Sequence, residues 1–410
     1  MANDDEAAGN LPTGSRLTAL DEVFRKDPYA VLSRLRSRDP VHRDEELKRW
    51  FITDHDMVKE VLRARDFCVD ARKAVENSFA RQIAGSGEDA EAPSMLGLDD
   101  PDHRRLRSFV SRAFAPKAVE ALRPKVAQVV DEVLGRLRAR ASFDVIGEYA
   151  SPVPFQVLAG MLGVEASDQV RFRQWAESKV QAFDPFRSEE TAAGMKRADT
   201  ELRDYFRHAI AERRTSARKN DILSDLVQAN ERGETLSEDE IVTMCNLLIV
   251  AGIVTTTDLI GNGVLALLRH PEQCRKLRQQ PDLIVGAVEE MLRFDSPVIQ
   301  TGRIATREVS IGGRCIGRGE SLSLSLGAAN HDPRVFSHPQ RFDIERKDNH
   351  HHSFGGGVHL CLGAALARLQ AQVAINRLLQ AFPSLRLAGE PVRRRLPVLH
   401  GCEKLLVLAL

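Results

Sequence analysis

The stretch Phe354-Gly355-Gly356-Gly357-Val358-His359-Leu360-Cys361-Leu362-Gly363 concentrates the residue types in this chain that can do chemistry. Cys361 has no second cysteine nearby, and an apolar stripe at helical spacing follows it through Leu362, Leu366, Leu369 and Val373. That spacing predicts a helix with the cysteine at its N-terminus, where unsatisfied N–H groups and the helix dipole favour thiolate over thiol. Three glycines ahead of it leave a backbone that a flat, bulky group can approach closely. A stabilised thiolate beside such a surface suits a proximal ligand to haem iron.

Plainer readings are available for each part. A buried cysteine is usually a small core residue. His350, His351, His352 and His359 lie near Cys361, but a structural zinc site needs paired Cys or His spacings, which this stretch lacks. A phosphate loop would end in Gly-Lys-Ser/Thr, and this one does not. The whole pattern, Phe-Gly-x-Gly-x-His-x-Cys-x-Gly, resembles the haem-binding loop of the cytochrome P-450 family. The resemblance implies haem b with Cys361 as the metal ligand and Phe354, Gly355, His359 and Gly363 around the cofactor. It also places His103, Arg107 and Arg303 against the haem propionates. His103 and Arg107, four apart, share one helical face, which otherwise reads as a solvated basic face.

The element that the resemblance sets across from Cys361 is the longest helical segment, Glu238 to Arg269, without a proline. Its middle, Leu247 to Thr257, is apolar with a small-residue step, so it reads as buried nearly all round. Ala251 and Gly252 remove bulk where a ligand could approach, and Thr255 can hydrogen-bond back onto the helix. By resemblance this is the oxygen-binding groove, with Ala251, Gly252 and Thr255 the catalytic residues. Most relatives carry Asp or Glu just before that threonine, whereas this chain has Val254. Valine cannot relay a proton, so water with Thr255, the substrate, or Asp258 three residues on must serve.

A Glu-x-x-Arg motif stands upstream, with Glu290 and Arg293 three apart on a predicted helix. In the resembling family this pair forms a buried network with an arginine, for which Arg341 is the matching position. The substrate pocket implied by the resemblance takes Met95, Leu96, Phe183, Val254, Val298, Ile299 and Thr301.

Composition sets the bounds. The 410 residues are 43% hydrophobic, and 58 basic residues balance 58 acidic ones, which argues against nucleic acid as main partner. Six scattered cysteines fit a reducing compartment. The polar start shows no secretory signal, and the apolar run at 247–253 is too short to span a bilayer, so a cytoplasmic protein with no membrane contact is expected. Residues 1–14 read as a disordered tail, 15–410 as a single cytochrome P-450 domain, and Ser78 to Pro93 as a surface loop. Helices are expected over Leu20–Arg38, His55–Ala64, Ala118–Ala139, Val153–Leu162, Asp168–Ala182 and Glu189–Arg214.

The expected fold is therefore mainly α with a smaller β-rich region (α+β), enclosing haem between the long helix and the cysteine loop. The implied activity is insertion of one oxygen atom from molecular oxygen into an apolar small-molecule substrate. No flavin or dinucleotide fingerprint appears, so electrons would come from an external ferredoxin and ferredoxin reductase. Arg368 and the Arg104-Arg105 region would add positive charge to the docking face. Val254 motivates an alternative, a peroxygenase or a desaturation or coupling reaction on the same haem. A non-catalytic haem-binding sensor is a third reading.

Overall fold

The computed structural model describes residues 11–84 and 93–409. The helices that position the site start and stop where local chemistry dictates. α1 (His55–Arg63) begins after Asp54, whose carboxylate accepts a hydrogen bond from the Met57 N–H at 3.0 Å. α2 (Asp102–Ser111), α3 (Arg123–Leu137) and α4 (Pro152–Leu162) follow, the last two with proline in the first turn. Gly163, at φ 75°, closes α4 in the left-handed conformation. α5 (Gln169–Lys179) and α6 (Glu189–Thr215) form the expected helical pair, joined through a short turn at Val180–Phe183.

α7 (Glu238–Arg269) has the bounds its sequence predicts. A capping box sets its start: Ser237 Oγ accepts from the Glu240 N–H at 3.2 Å, and Glu240 Oε2 accepts from the Ser237 N–H at 2.8 Å. At 32 residues it runs roughly 48 Å and packs against α4, α5, α6 and two later helices, α8 (Ile284–Phe294) and α9 (Ala364–Ala381). Among the described residues α7 alone is long and apolar enough to cross a membrane, yet 61% of its most apolar window is buried inside the protein. It is the axis of the main hydrophobic core.

A five-stranded sheet flanks this helical body. Its strands are β1 (Val41–Asp44), β2 (Arg49–Ile52), β3 (Phe67–Cys68), β4 (Gln300–Ala305) and β5 (Ser321–Ser325), in the order β1-β2-β5-β4-β3. β2 and β5 run parallel and the other neighbours antiparallel. The register sets Arg303 opposite Leu322, fixing where the arginine emerges. The fold is thus α+β and mainly helical.

Three segments differ from expectation. Within the expected tail, residues 1–10 lie outside the described residues. Leu11 packs on Leu17, Phe24 and Phe51, and the Gly14 N–H donates to Asp44 Oδ1 at 2.9 Å, so apolar and polar contacts both hold residues 11–14 to the body. The expected loop from Ser78 contains a short helix, Phe79–Ala84, and residues 85–92 lie outside the described residues. The helix expected over 20–38 is two, Glu22–Lys26 and Pro28–Arg38, because Pro28 cannot donate and Asp27 caps the second.

Candidate active site

Cys361 sits in the turn that leads into α9, whose N-cap is Gly363. Its N–H donates to the Phe354 carbonyl at 3.0 Å, closing the loop on itself. Arg107 on α2 pins the loop from outside by donating to the Leu360 carbonyl at 2.7 Å and the Val358 carbonyl at 3.4 Å. Phe354 lies under Arg368, whose guanidinium carbon is 4.4 Å from the ring centroid. Arg368 in turn grips Glu289 of α8 with two bonds of 2.7 and 2.8 Å. Burial pushes the Glu289 carboxyl up, but its hydrogen bonds from Arg368 and His351 outweigh this and hold it down at about 2.

The glycines divide the work. Gly357, at φ 67°, lies where a Cβ would come within 2.2 Å of the Leu62 carbonyl oxygen at the end of α1, so it serves chain packing. Gly355, at φ 69°, has open space where its Cβ would stand, and Gly363 likewise. The Cys361 side chain is accessible yet recessed among protein atoms, and this enclosure pushes its thiol up rather than down. The Gly363 N–H and the charges of Arg107 and Arg368 oppose that shift without reversing it. The helix end alone therefore does not make the thiolate; a bound cation would.

Beside the loop lies a cluster of cationic and imidazole groups short of anions. Arg303, on β4, is 7% exposed and donates to the Gly302 carbonyl at 2.7 Å, while burial draws it down to about 10. His103 and His359 stack with ring centroids 4.2 Å apart. His359 Nε2 is covered and has no hydrogen-bond partner. Burial, then the neighbouring His103 and Arg303, lowers its imidazole to about 4. Burial likewise lowers His103, against the pull of the Asp100 carboxylate 3.5 Å away. Arg303 and His359 thus have donors for a carboxylate, and among the described residues none is hydrogen-bonded to either.

Across the site, α7 is buried along most of its middle, but Ala251 is exposed and Thr255 partly so. Thr255 Oγ1 donates to the Ala251 carbonyl at 2.7 Å. Gly252 does not face the same space: a Cβ there would meet Leu158 of α4 at 2.4 Å, so its missing side chain lets two helices close up. Asp258 is fully buried and pairs with Arg394 at 3.0 Å, which makes it a packing partner of the C-terminal segment. Val254 belongs to an apolar cluster with Ala176, Val180, Leu396 and Leu399, against which Phe183, Val250, Val298 and Val398 pack. Of the predicted pocket residues, Phe183, Val254 and Val298 thus come together. Ile299 points the other way, into the cluster of Leu17, Phe24 and Phe51, because successive residues of an extended strand alternate sides. Met95 lies in the main core, Leu96 is 54% exposed, and Thr301 is half-buried on β4.

The family model described as Cytochrome P450 matches residues 46–393. The chain belongs to the cytochrome P450 family. It is 41% identical to cytochrome P450 107B1 of Saccharopolyspora erythraea over 401 residues, covering 95% of this chain and 96% of that one. It is 38% identical to the polyketide biosynthesis cytochrome P450 PksS of Bacillus subtilis over 377 residues, with 90% and 91% covered. Among solved structures, P450BioI in complex with acyl carrier protein ligated to hexadec-9Z-enoic acid superposes with a TM-score of 0.87 at 38% identity, covering 95% and 100%. The protein is accordingly an oxygen-incorporating oxidoreductase of a haem-iron family, and its relatives are bacterial. Its residues fit that cofactor: a recessed thiol, open space over Gly355 and Gly363, and an anion-short cluster at Arg303, His103 and His359.

The P450 brace behind the loop corrects one expectation. Glu290 and Arg293 are both 0% exposed and share two bonds of 2.8 Å. The arginine that joins them is Arg346, at 3.0 and 3.2 Å from the two Glu290 oxygens. Arg341 is exposed and contributes its carbonyl, which accepts from Arg293 and Arg346. The turn Arg341-to-Arg346 folds back on α8, so the guanidinium that reaches Glu290 comes five residues later than the one nearest Pro339. The arginines expected to add positive charge to the docking face are each paired with a carboxylate: Arg104 with Asp100, Arg105 with Glu240, Arg368 with Glu289. His351 meets Glu289 at 3.2 Å. Leu396 and Val398 escaped sequence reading because the C-terminal segment reaches this cluster only by pairing with residues nearly 100 positions earlier, as in the Ile299 N–H to Val398 carbonyl bond of 3.0 Å.

Proposed function

We propose that this P450 is a haem-thiolate monooxygenase that inserts one oxygen atom from O₂ into an apolar small molecule, with electrons from an external ferredoxin and its reductase. What supports the reading is membership of the P450 family together with the recessed thiol of Cys361, the neighbouring cluster of Arg303, His103 and His359, and the uncovered residues Ala251 and Thr255 on α7. Haem held through a thiolate supplies an electron-rich iron that favours O–O cleavage.

The chain's own contribution is placement. Cys361 Sγ would hold the iron, while Arg303, His103 and His359 would take the propionates. Arg107 keeps the cysteine loop in register by binding two of its carbonyls. Ala251 gives clearance on α7, and the Thr255 hydroxyl, one turn on, is parked on the Ala251 carbonyl. The cluster around Val254, Phe183 and Val298 excludes water from the substrate and orients it through shape. Val254 brings no proton of its own, which leaves Thr255 and water to that task.

The test is the absorption spectrum of the reduced protein under carbon monoxide, for wild type and Cys361→Ala. A red-shifted thiolate band in wild type, lost in the variant, is expected. A histidine-type band, or no haem in wild type, would overturn the reading.

A further inference from the structure

Two asparagines of α7 have opposite fates. Asn262 is fully engaged: its Nδ2 donates to the Asp295 carbonyl at 3.0 Å and the His400 carbonyl at 2.7 Å, and its Oδ1 accepts from Arg393 at 3.0 Å. Asn246 is 8% exposed, and its Oδ1 is covered without a hydrogen-bond partner. A buried amide left so bears its full desolvation cost, and an apolar residue of the same size would avoid it. Packing therefore does not explain why asparagine stands there.

Its place on the helix does. Asn246, Val250 and Val254 recur every four residues and share one face. Val250 and Val254 reach the apolar cluster with Val180, Phe183 and Val298. Asn246 is the next step along that face, and it is five residues, or roughly 7–8 Å of helix, from Ala251. We infer that Asn246 is a substrate-binding residue: it recognises one hydrogen-bonding oxygen, such as a ketone, hydroxyl or lactone carbonyl, at the far end of an otherwise apolar carbon skeleton. This rests on the monooxygenase reading above. An amide both donates and accepts, and turning about its last bond exchanges the two roles, so it suits an oxygen of either kind. The aliphatic pocket sets how large the skeleton is, and Asn246 sets which way round it enters.

The probes are cyclododecanone and cyclododecane, which differ by one ketone oxygen, titrated into the haem-loaded protein and read by spin-state shift and by thermal stabilisation. The ketone leaves water less readily, so a preference for it requires a polar partner in the pocket. Wild type is expected to bind the ketone roughly five- to tenfold more tightly, the range of one net hydrogen bond. Asn246→Leu is expected to erase the preference and to melt higher than wild type without ligand. Asn246→Ser, a smaller change, should narrow the preference without erasing it. Equal binding of both probes by wild type, binding of neither while an azole still enters the pocket, or an unchanged preference in both variants would overturn the inference. Loss of fold in both variants would also overturn it, since the amide would then be structural. A wild-type spectrum without a thiolate band would instead sink the monooxygenase reading itself.

Discussion

At Glu290 a buried carboxylate meets two guanidinium groups, and their unequal sources show what a sequence reveals at the scale of single residues. Arg293 is one helical turn away, so its partnership was legible from spacing. Arg346 arrives from a loop with no periodicity, and nothing in the residue order distinguishes it from Arg341. Removing Arg346 leaves Glu290 paired with Arg293 but strips the buried carboxylate of its charge-assisted hydrogen bonds from the second guanidinium, at a cost of about 1.5–3 kcal/mol. Arg346→Leu is therefore expected to lose about that much unfolding free energy in urea, while Arg341→Ala, which keeps the carbonyl, should stay within about 0.5 kcal/mol. Equal losses in the two variants would restore Arg341 to the network. The cofactor site follows the same pattern. The turn that carries His359 and Cys361 was legible as an element because its motif is local, whereas Ile299 joins the cluster of Leu17 and Phe24 because one step along a strand reverses the side it faces.

Among elements, α7 was the most legible, since a capping box, an uninterrupted apolar run and the absence of proline all agree on its bounds. What the sequence leaves open is which neighbour each small residue serves. Ala251 and Gly252 are adjacent, yet one lines the cleft and the other admits Leu158 of α4. Gly252→Val is expected to force α4 and α7 apart and to destabilise the protein by about 1–3 kcal/mol, the usual cost of overpacking. Combining it with Leu158→Ala, which empties the opposing space, should cost less than the sum of the two single changes. A thermodynamic cycle from chemical denaturation checks this, and strict additivity would mean that the two side chains do not meet. The short helix Phe79–Ala84 shows the converse, for six residues without a capping side chain give periodicity too little length to register.

For the molecule as a whole, the histidines set the response to acid. His331 and His352 are 2% and 9% exposed, and burial holds both imidazoles down at about 3, with His359 at about 4. In the unfolded chain each titrates near 6.5. Between about pH 6.5 and 4 the unfolded chain thus takes up protons that the folded one refuses. Stability must fall as pH drops through that window, by about 1.4 kcal/mol per pH unit for each fully buried imidazole. Glu289 and Asp332 act in the same direction lower down. Arg368 and His351 hold Glu289, and Arg334 with two backbone N–H groups holds Asp332, at about 2 despite burial, so what they contribute is lost as pH falls from the ordinary carboxylate range toward 2. The expected profile is a monotonic decline with no recovery on the acid side, measured as unfolding free energy in urea across pH 7 to 4. His352→Asn should flatten it. His352 Nε2 has no partner and its ring stands 4.4 Å from His55, so the substitution removes one refused proton without breaking a side-chain bond. An unchanged slope in that variant would mean that His352 takes up its proton in the folded protein as readily as in the unfolded chain.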